Sequence, residues 1–223
     1  MLLKDVPVII VAGGFGMRMA PYSSVLPKPL LLHDGQVMIR KVLDNFKASG
    51  FAQFICLLHY QGKLIQTYLD TVCGEYDIQY VYEPTPLGTA GGLFLLKDVP
   101  AENFVVCNCD NLGVFDYADA LTRHIENGHG ITVFVKKKHY QIPFGIVHCM
   151  PTGSVSQVEE KPYCDFYIST GIHIINRKVL TLRDAGDVVS MPELINSSLE
   201  KYSVGYYDVG AAEWVDMSVR AME

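Results

Sequence analysis

The amino-acid sequence predicts an α/β sandwich with a largely parallel central sheet. Short apolar runs, several of them β-branched, alternate with longer amphipathic stretches, and the connections between them are short. The chain is also 49% hydrophobic and 19% charged over 223 residues, which is enough apolar material for a sizeable core and too much for disorder.

Residues 6–11 are rich in Val and Ile and read as a buried strand. Residues 36–49 carry Val37, Ile39, Val42, Leu43 and Phe46 at helical spacing, with Gly50 as a stop. Strands are expected over 54–58, 78–82 and 104–107, and helices over 63–72, 89–96 and 117–126. After Gly128 the rhythm changes. Residues 131–135, 144–148, 154–158 and 167–175 are strand candidates separated by turns, which suggests antiparallel additions to the sheet and a small subdomain over a pocket. Helices are expected over 179–182 and 192–201, and a late strand over 204–209. No linker or repeat interrupts the chain, so residues 1–223 read as one domain with a nucleotide-binding half (1–127) and a second half (128–223).

Several function classes are excluded. No apolar run reaches the roughly 18 residues of a membrane span, and the first residues do not form a secretory leader. A net charge of -6 offers no footprint for nucleic acid. The six cysteines sit mostly in apolar, strand-like segments and read as buried thiols, and Cys107-x-Cys109 has no second pair to complete a zinc site. A reducing, cytoplasmic setting is the expectation. Lys136–Lys138 reads as a solvated strand end, and the tyrosines at 202–207 as half-buried sheet residues. The histidines form no catalytic pattern, and no Gly-x-Ser-x-Gly elbow occurs.

In open α/β sheets ligands bind beyond the carboxyl ends of the strands, so residues that follow strands are the informative ones. Val11-Ala12-Gly13-Gly14-Phe15-Gly16-Met17-Arg18-Met19 follows the first strand. Glycines let backbone N–H groups approach phosphate oxygens, although the cluster alone is equally a tight turn. It is neither a Walker A loop nor a G-x-G-x-x-G fingerprint. Arg18 and the proline-clamped Lys28 of Pro27-Lys28-Pro29-Leu30 suit the neutralisation of a polyphosphate. Together these residues resemble the signature loop of the sugar-1-phosphate nucleotidyltransferases, with Met17 and Met19 in place of the usual Thr and Leu.

The resemblance extends along the chain. It implies a Rossmann-like three-layer nucleotide-diphospho-sugar transferase fold with a mixed, mostly parallel sheet and a small antiparallel sugar-side subdomain. Ala12, Gly13, Gly14 and Gly16 would cradle the nucleotide, and Arg18 and Lys28 would be catalytic. Glu83-Pro84-Thr85-Pro86-Leu87-Gly88-Thr89-Ala90 matches the base-gripping segment in a form similar to guanylyltransferases. There Glu83 would accept from the two donors of a guanine edge, with Gly88, Thr89 and Ala90 beside the nucleotide. Asp110 after the fourth strand and Asp216 in Trp214-Val215-Asp216-Met217 would hold Mg²⁺. Gly145, Glu160, Lys161 and Thr170 match the sugar-side elements, with Lys161 meeting the sugar phosphate.

The expected reaction is transfer of a nucleoside monophosphate, GTP favoured, to a sugar 1-phosphate, with release of pyrophosphate. The partners implied are an NTP and a sugar 1-phosphate, without nucleic acid or membrane, and a homo-oligomer stays open. Cytidylyl, uridylyl or thymidylyl transfer to a sugar phosphate or phosphorylated alcohol is the alternative within enzymes. A non-catalytic nucleotide-sugar-binding regulatory subunit is the alternative outside them, and it would be favoured by loss of the charged residues, none of which is lost. A dinucleotide-dependent oxidoreductase is disfavoured by the missing fingerprint.

Overall fold

Strand–helix units open the chain in a computed structural model that describes residues 2–220, apart from the side chains of Arg18, Val219 and Arg220. β1 (Val8–Val11) buries Val8, Ile9 and Ile10 completely, as a strand inside a sheet covered on both faces must. A long loop follows. It holds one helical turn, α1 (Tyr22–Val25), and a minimal hairpin, β2 (Leu32–His33) with β3 (Gln36–Val37). α2 (Met38–Ala48) buries Met38, Ile39, Val42, Leu43 and Phe46 on one face, and the chain leaves it through Gly50 at φ +100°. β4 (Gln53–Leu58), α3 (Gly62–Val72) and β5 (Asp77–Tyr82) repeat the unit. β6 (Asn103–Asn108), the short β7 (Asn111–Gly113) and α4 (Tyr117–Glu126) repeat it again, with Asp116 capping α4 by accepting from the Asp119 N–H.

The second half is mostly strand: β8 (Ile131–Gln141), β9 (Ile146–Cys149), β10 (Val155–Glu159) and β11 (Tyr163–Asn176). α5 (Met191–Ser198), β12 (Val204–Asp208), β13 (Trp214–Asp216) and α6 (Met217–Arg220) follow. α5 starts with a capping box between Ser190 and Glu193. Seven strands form one sheet in the order β12-β8-β11-β6-β1-β4-β5. β1 is parallel to β4 and β6, β4 to β5, and β12 to β8, whereas β11 is antiparallel to both neighbours. This is the mixed, mostly parallel sheet that the sequence predicts, and it runs through both halves. One core layer lies under α2, α3 and α4, and the other lies under α5.

Beyond the main sheet, β8 and β11 continue as a two-stranded ribbon that joins the β9–β10 hairpin. Tyr140, Phe166 and Tyr167 are exposed there. The strands are longer than the sequence predicts, and Lys136–Lys138 lies within β8 rather than at its end, with the Lys136 ammonium bonded to the Ala212 carbonyl. Residues 91–96 form a 3-10 helix instead of an α-helix. Cys56, Cys73, Cys107 and Cys109 are buried, Cys164 is half-buried and Cys149 is exposed on the hairpin. Tyr206 is exposed, unlike Tyr202 and Tyr207. No helix among the described residues is long and apolar enough to cross a membrane.

Candidate active site

The loop after β1 is folded by its glycines. Ala12 N–H donates to the Leu57 carbonyl at 2.9 Å, and Tyr60 N–H donates to the Gly13 carbonyl at 3.2 Å, so the loop starts pinned to β4 and its exit. Gly16 has φ +64°, and a Cβ there would lie 2.9 Å from Lys28 Cβ, so only glycine lets the loop close on that lysine. Lys28 begins a 3-10 turn between Pro27 and Pro29 and donates to Asp110 Oδ2. Asp110 follows β6 and is buried. The Arg18 backbone lies in the 3-10 turn Met17–Met19, but its side chain lies outside the described residues.

Asp216 arrives from the far end of the sequence. β13 pairs antiparallel with β7, which sets Asp216 opposite Asn111, and Met217 N–H donates to the Asp110 carbonyl at 2.9 Å. A cavity of about 400 Å³ results, and its walls include Gly14, Gly16, Lys28, Thr89, Asp110 and Asp216. Asp216 Oδ1 accepts from the Ser218 N–H (2.9 Å) and hydroxyl (2.6 Å). Among the described residues, Asp216 Oδ2 and Asp110 Oδ1 have no protein donor. Two carboxylates with one open oxygen each fit a hard cation that takes few protein ligands, as Mg²⁺ does. Cys109, next to Asp110, has its thiol pushed up to about 12 by burial and by that carboxylate, which leaves it protonated.

The segment after β5 is strapped to the start of α5. Ala90 and Gly91 N–H groups donate to the Val189 carbonyl (2.9 and 3.1 Å), Val189 N–H donates to Leu87 O (2.9 Å), and Met191 N–H donates to Thr89 Oγ1 (2.8 Å). Gly88, at φ +81°, would put a Cβ 2.6 Å from the Val189 carbonyl oxygen. Thr89 therefore reaches the cavity, while Ala90 is buried behind it. Glu83 differs from expectation. Its side chain turns under the loop, where Oε2 accepts from Leu87 N–H at 3.2 Å, and burial raises its pKa. It is not among the side chains that wall the cavity. Its work is to satisfy the turn that carries Gly88 and Thr89.

A second cavity of about 490 Å³ adjoins the first and shares Thr89, Asn108 and Asp216 with it. Its other walls come from α5, Trp214 and the end of β11, where the register with β8 shifts between Ser169 and His173. Thr170 lies in this shift, but its hydroxyl donates to the Phe134 carbonyl at 3.1 Å, and its own carbonyl accepts from Trp214 Nε1 at 2.9 Å. Thr170 lines this second cavity, with its hydroxyl proton directed inward. Gly145, Glu160 and Lys161 also depart from expectation. They sit together at the hairpin, where a Cβ on Gly145 would be 3.3 Å from Glu160 Oε2, and they line neither cavity. Lys161 Nζ is 3.8 Å from Glu160 Oε1, and both side chains are solvated, so nothing in the packing draws them inward.

Polar lining residues that the sequence reading did not assign include Asn108, Asn111, His173, Asn196 and Ser218. Asn108 is the last residue of β6, and position at a strand end was the available signal. His173 sits in an apolar strand and looks like a core residue. A cavity of about 330 Å³ at the other end of the strands, lined by Pro7, Asp77, Val99 and neighbours, gathers no comparable set of polar groups.

A cavity at the carboxyl ends of parallel strands, walled by a glycine loop, a fixed lysine and two aspartates, has the makings of a nucleotide site in an α/β protein. Residues 7–217 match the family model described as nucleotidyl transferase, and the chain belongs to that family. It is 31% identical over 179 residues to the mannose-1-phosphate guanylyltransferase catalytic subunit beta of Dictyostelium discoideum, covering 77% of this chain and 50% of the relative. It is 26% identical over 217 residues to mannose-1-phosphate guanyltransferase of Yarrowia lipolytica, covering 94% and 60%. The chain thus spans about half the length of the curated relatives it matches. Among solved structures, HddC of Yersinia pseudotuberculosis complexed with GMP-PN has the same fold, with a TM-score of 0.72 at 20% identity over 96% of this chain and 94% of that one.

Proposed function

We propose that this chain transfers a nucleoside monophosphate from an NTP, with GTP favoured, to a sugar 1-phosphate, giving an NDP-sugar and pyrophosphate. The observation that carries the reading is the convergence of Lys28, Asp110, Asp216 and the glycine loop on one cavity, with a second cavity adjoining it whose one carboxylate, Asp216, is shared. The relatives named above favour a guanine nucleotide and a hexose phosphate acceptor.

A phosphate oxygen of the acceptor attacks the α-phosphorus in line. The new P–O bond forms as the bond from the α-phosphorus to the bridging oxygen breaks, and the electron pair leaves on pyrophosphate. No covalent enzyme intermediate is required, so the protein's work is positioning and charge stabilisation. Gly14 and Gly16 keep backbone close to the phosphates. The prolines around Lys28, together with its bond to Asp110, hold the ammonium at the cavity wall, where it meets the phosphates at little further ordering cost. Arg18 would hold the departing phosphates. Mg²⁺ on Asp110 and Asp216 would offset charge on the transferred phosphate. Thr89 and the strap to α5 fix the cavity wall that faces the acceptor.

The test is a panel of four NTPs against several sugar 1-phosphates, following pyrophosphate release with and without Mg²⁺. GTP with a hexose 1-phosphate is expected to be the fastest pair, and release is expected to depend on the metal. Absence of pyrophosphate release with every pair would overturn the assignment.

A further inference from the structure

The second cavity contains two polar side chains that nothing satisfies. His173 is 4% exposed, and neither ring nitrogen has a hydrogen-bond partner; Asn111, also 4% exposed, has its Oδ1 unpaired. Both line the same cavity. An unpaired buried polar group costs about 1–3 kcal/mol, and native structures hold few of them. A second buried histidine shows what ordinary satisfaction looks like. His124 meets Thr132 Oγ1 at 2.8 Å and the Asn103 side-chain oxygen at 3.2 Å, so both its nitrogens are used.

The strand explains how His173 came to be there. The register shift in β11 and Gly171 at φ +77° press the chain against Asn111: a Cβ on Gly171 would be 2.1 Å from Asn111 Nδ2. Ile172 then pairs with Cys107, and His173 pairs with Val106 on one side and Val133 on the other. The rest of the lining is selective in its chemistry. Asn108, Ser169 and Asn196 are uncharged, Trp214 and Ile195 are apolar, and the single charge, Asp216, lies on the border shared with the first cavity. A cationic alcohol would find no dedicated anion there, and an acidic sugar would find no cation.

We propose that His173 selects the acceptor, forming the floor of the second cavity and pairing with a hydroxyl of an uncharged, polyhydroxylated ring. This deepens the nucleotidyl-transfer reading and rests on it for the reaction, though not for the binding. Burial holds the imidazole neutral, with its pKa lowered to about 4, so it presents one donor and one acceptor to a group that can be either.

The test uses His173→Phe and His173→Gln in the full chain. KM and kcat are measured for a hexose 1-phosphate and for congeners each lacking one hydroxyl, alongside KM for the NTP. His173→Phe is expected to raise the acceptor KM about 10-fold, with the NTP KM unchanged and the melting temperature not lowered, because two unpaired polar atoms are replaced by carbon. That increase should vanish for the one congener that lacks the hydroxyl being read, and His173→Gln should restore part of the affinity. A uniform effect across all congeners, or none, overturns the proposal. A separate arm measures binding of hexose 1-phosphate and inositol 1-phosphate by calorimetry without turnover. If the unaltered protein releases no pyrophosphate, the reaction assignment fails. Tighter binding to the unaltered protein than to His173→Phe then still supports His173, and equal or absent binding overturns it.

Discussion

Lys28 and Asp110 face each other with 15% and 5% of their side chains exposed, whereas Glu160 and Lys161 approach each other with 75% and 57% exposed. The first pair is built by long-range contacts: a proline-framed turn, a glycine that clears space for the lysine, and a strand end. The second belongs to the ribbon, where few main-sheet contacts exist and water does the solvating. The same residue chemistry therefore has different weight in the two regions. In the rim, a charge is committed to a partner and to a cavity. On the ribbon it costs little to hold and is free to move with the hairpin.

The contrast is open to being broken. The largest effect expected is from Lys28→Ala, with turnover falling at least ~100-fold in the pyrophosphate assay. The same change strands the buried Asp110, so stability should fall by roughly 3 kcal/mol in denaturant unfolding. Lys28→Met combined with Asp110→Asn should recover much of that stability and none of the activity. Near-normal turnover in Lys28→Ala would remove this lysine from the chemistry. Next comes Gly88→Ala, where positive φ and the Val189 carbonyl both resist a Cβ, with an expected loss of about 2 kcal/mol and weaker nucleotide binding by titration.

Acid sensitivity sharpens the comparison further. His124 takes up a proton near pH 6.5 when unfolded but only near pH 4 when folded, because burial disfavours the charged ring. The unfolded state thus binds more protons between those values, and stability should drain as pH falls from about 6.5 to about 4, with no further contribution from this group below that. Melting temperatures across this window check the sign, and His124→Gln should flatten the slope. The smallest effect belongs to the ribbon: Glu160→Gln or Lys161→Ala should shift stability by less than ~0.5 kcal/mol by thermal melt. A large loss there would mean that the hairpin charges are structural after all.

The parts of the molecule that follow local rules were legible in the sequence. α4 has the bounds that its periodicity predicts, because Tyr117, Ala120, Leu121 and His124 form one buried face. Asp110 and Lys28 were legible because strand ends and proline clamps mark them. β8 and β11 were read short because the ribbon residues are exposed on both faces and lose the alternation that marks a half-buried strand. β7 and β13 are three residues each, and only their pairing makes them strands. The 3-10 turn at 91–96 reflects Gly91 and Gly92 packed against Asp187 O and Glu83, a constraint from elsewhere in the chain. Glu83 and Thr170 share a feature that the sequence did not reveal. Residue type suggested an outward polar group, and the fold spent that group on an internal carbonyl or amide.

The β7–β13 pairing has a consequence for how the protein comes to life on the ribosome. The glycine loop, Lys28 and Asp110 emerge early and can settle together, but Asp216 is translated long afterwards and docks only when Met217 joins the Asp110 carbonyl. A chain ending before β13 therefore keeps the Lys28–Asp110 contact but lacks the second carboxylate of the cavity wall.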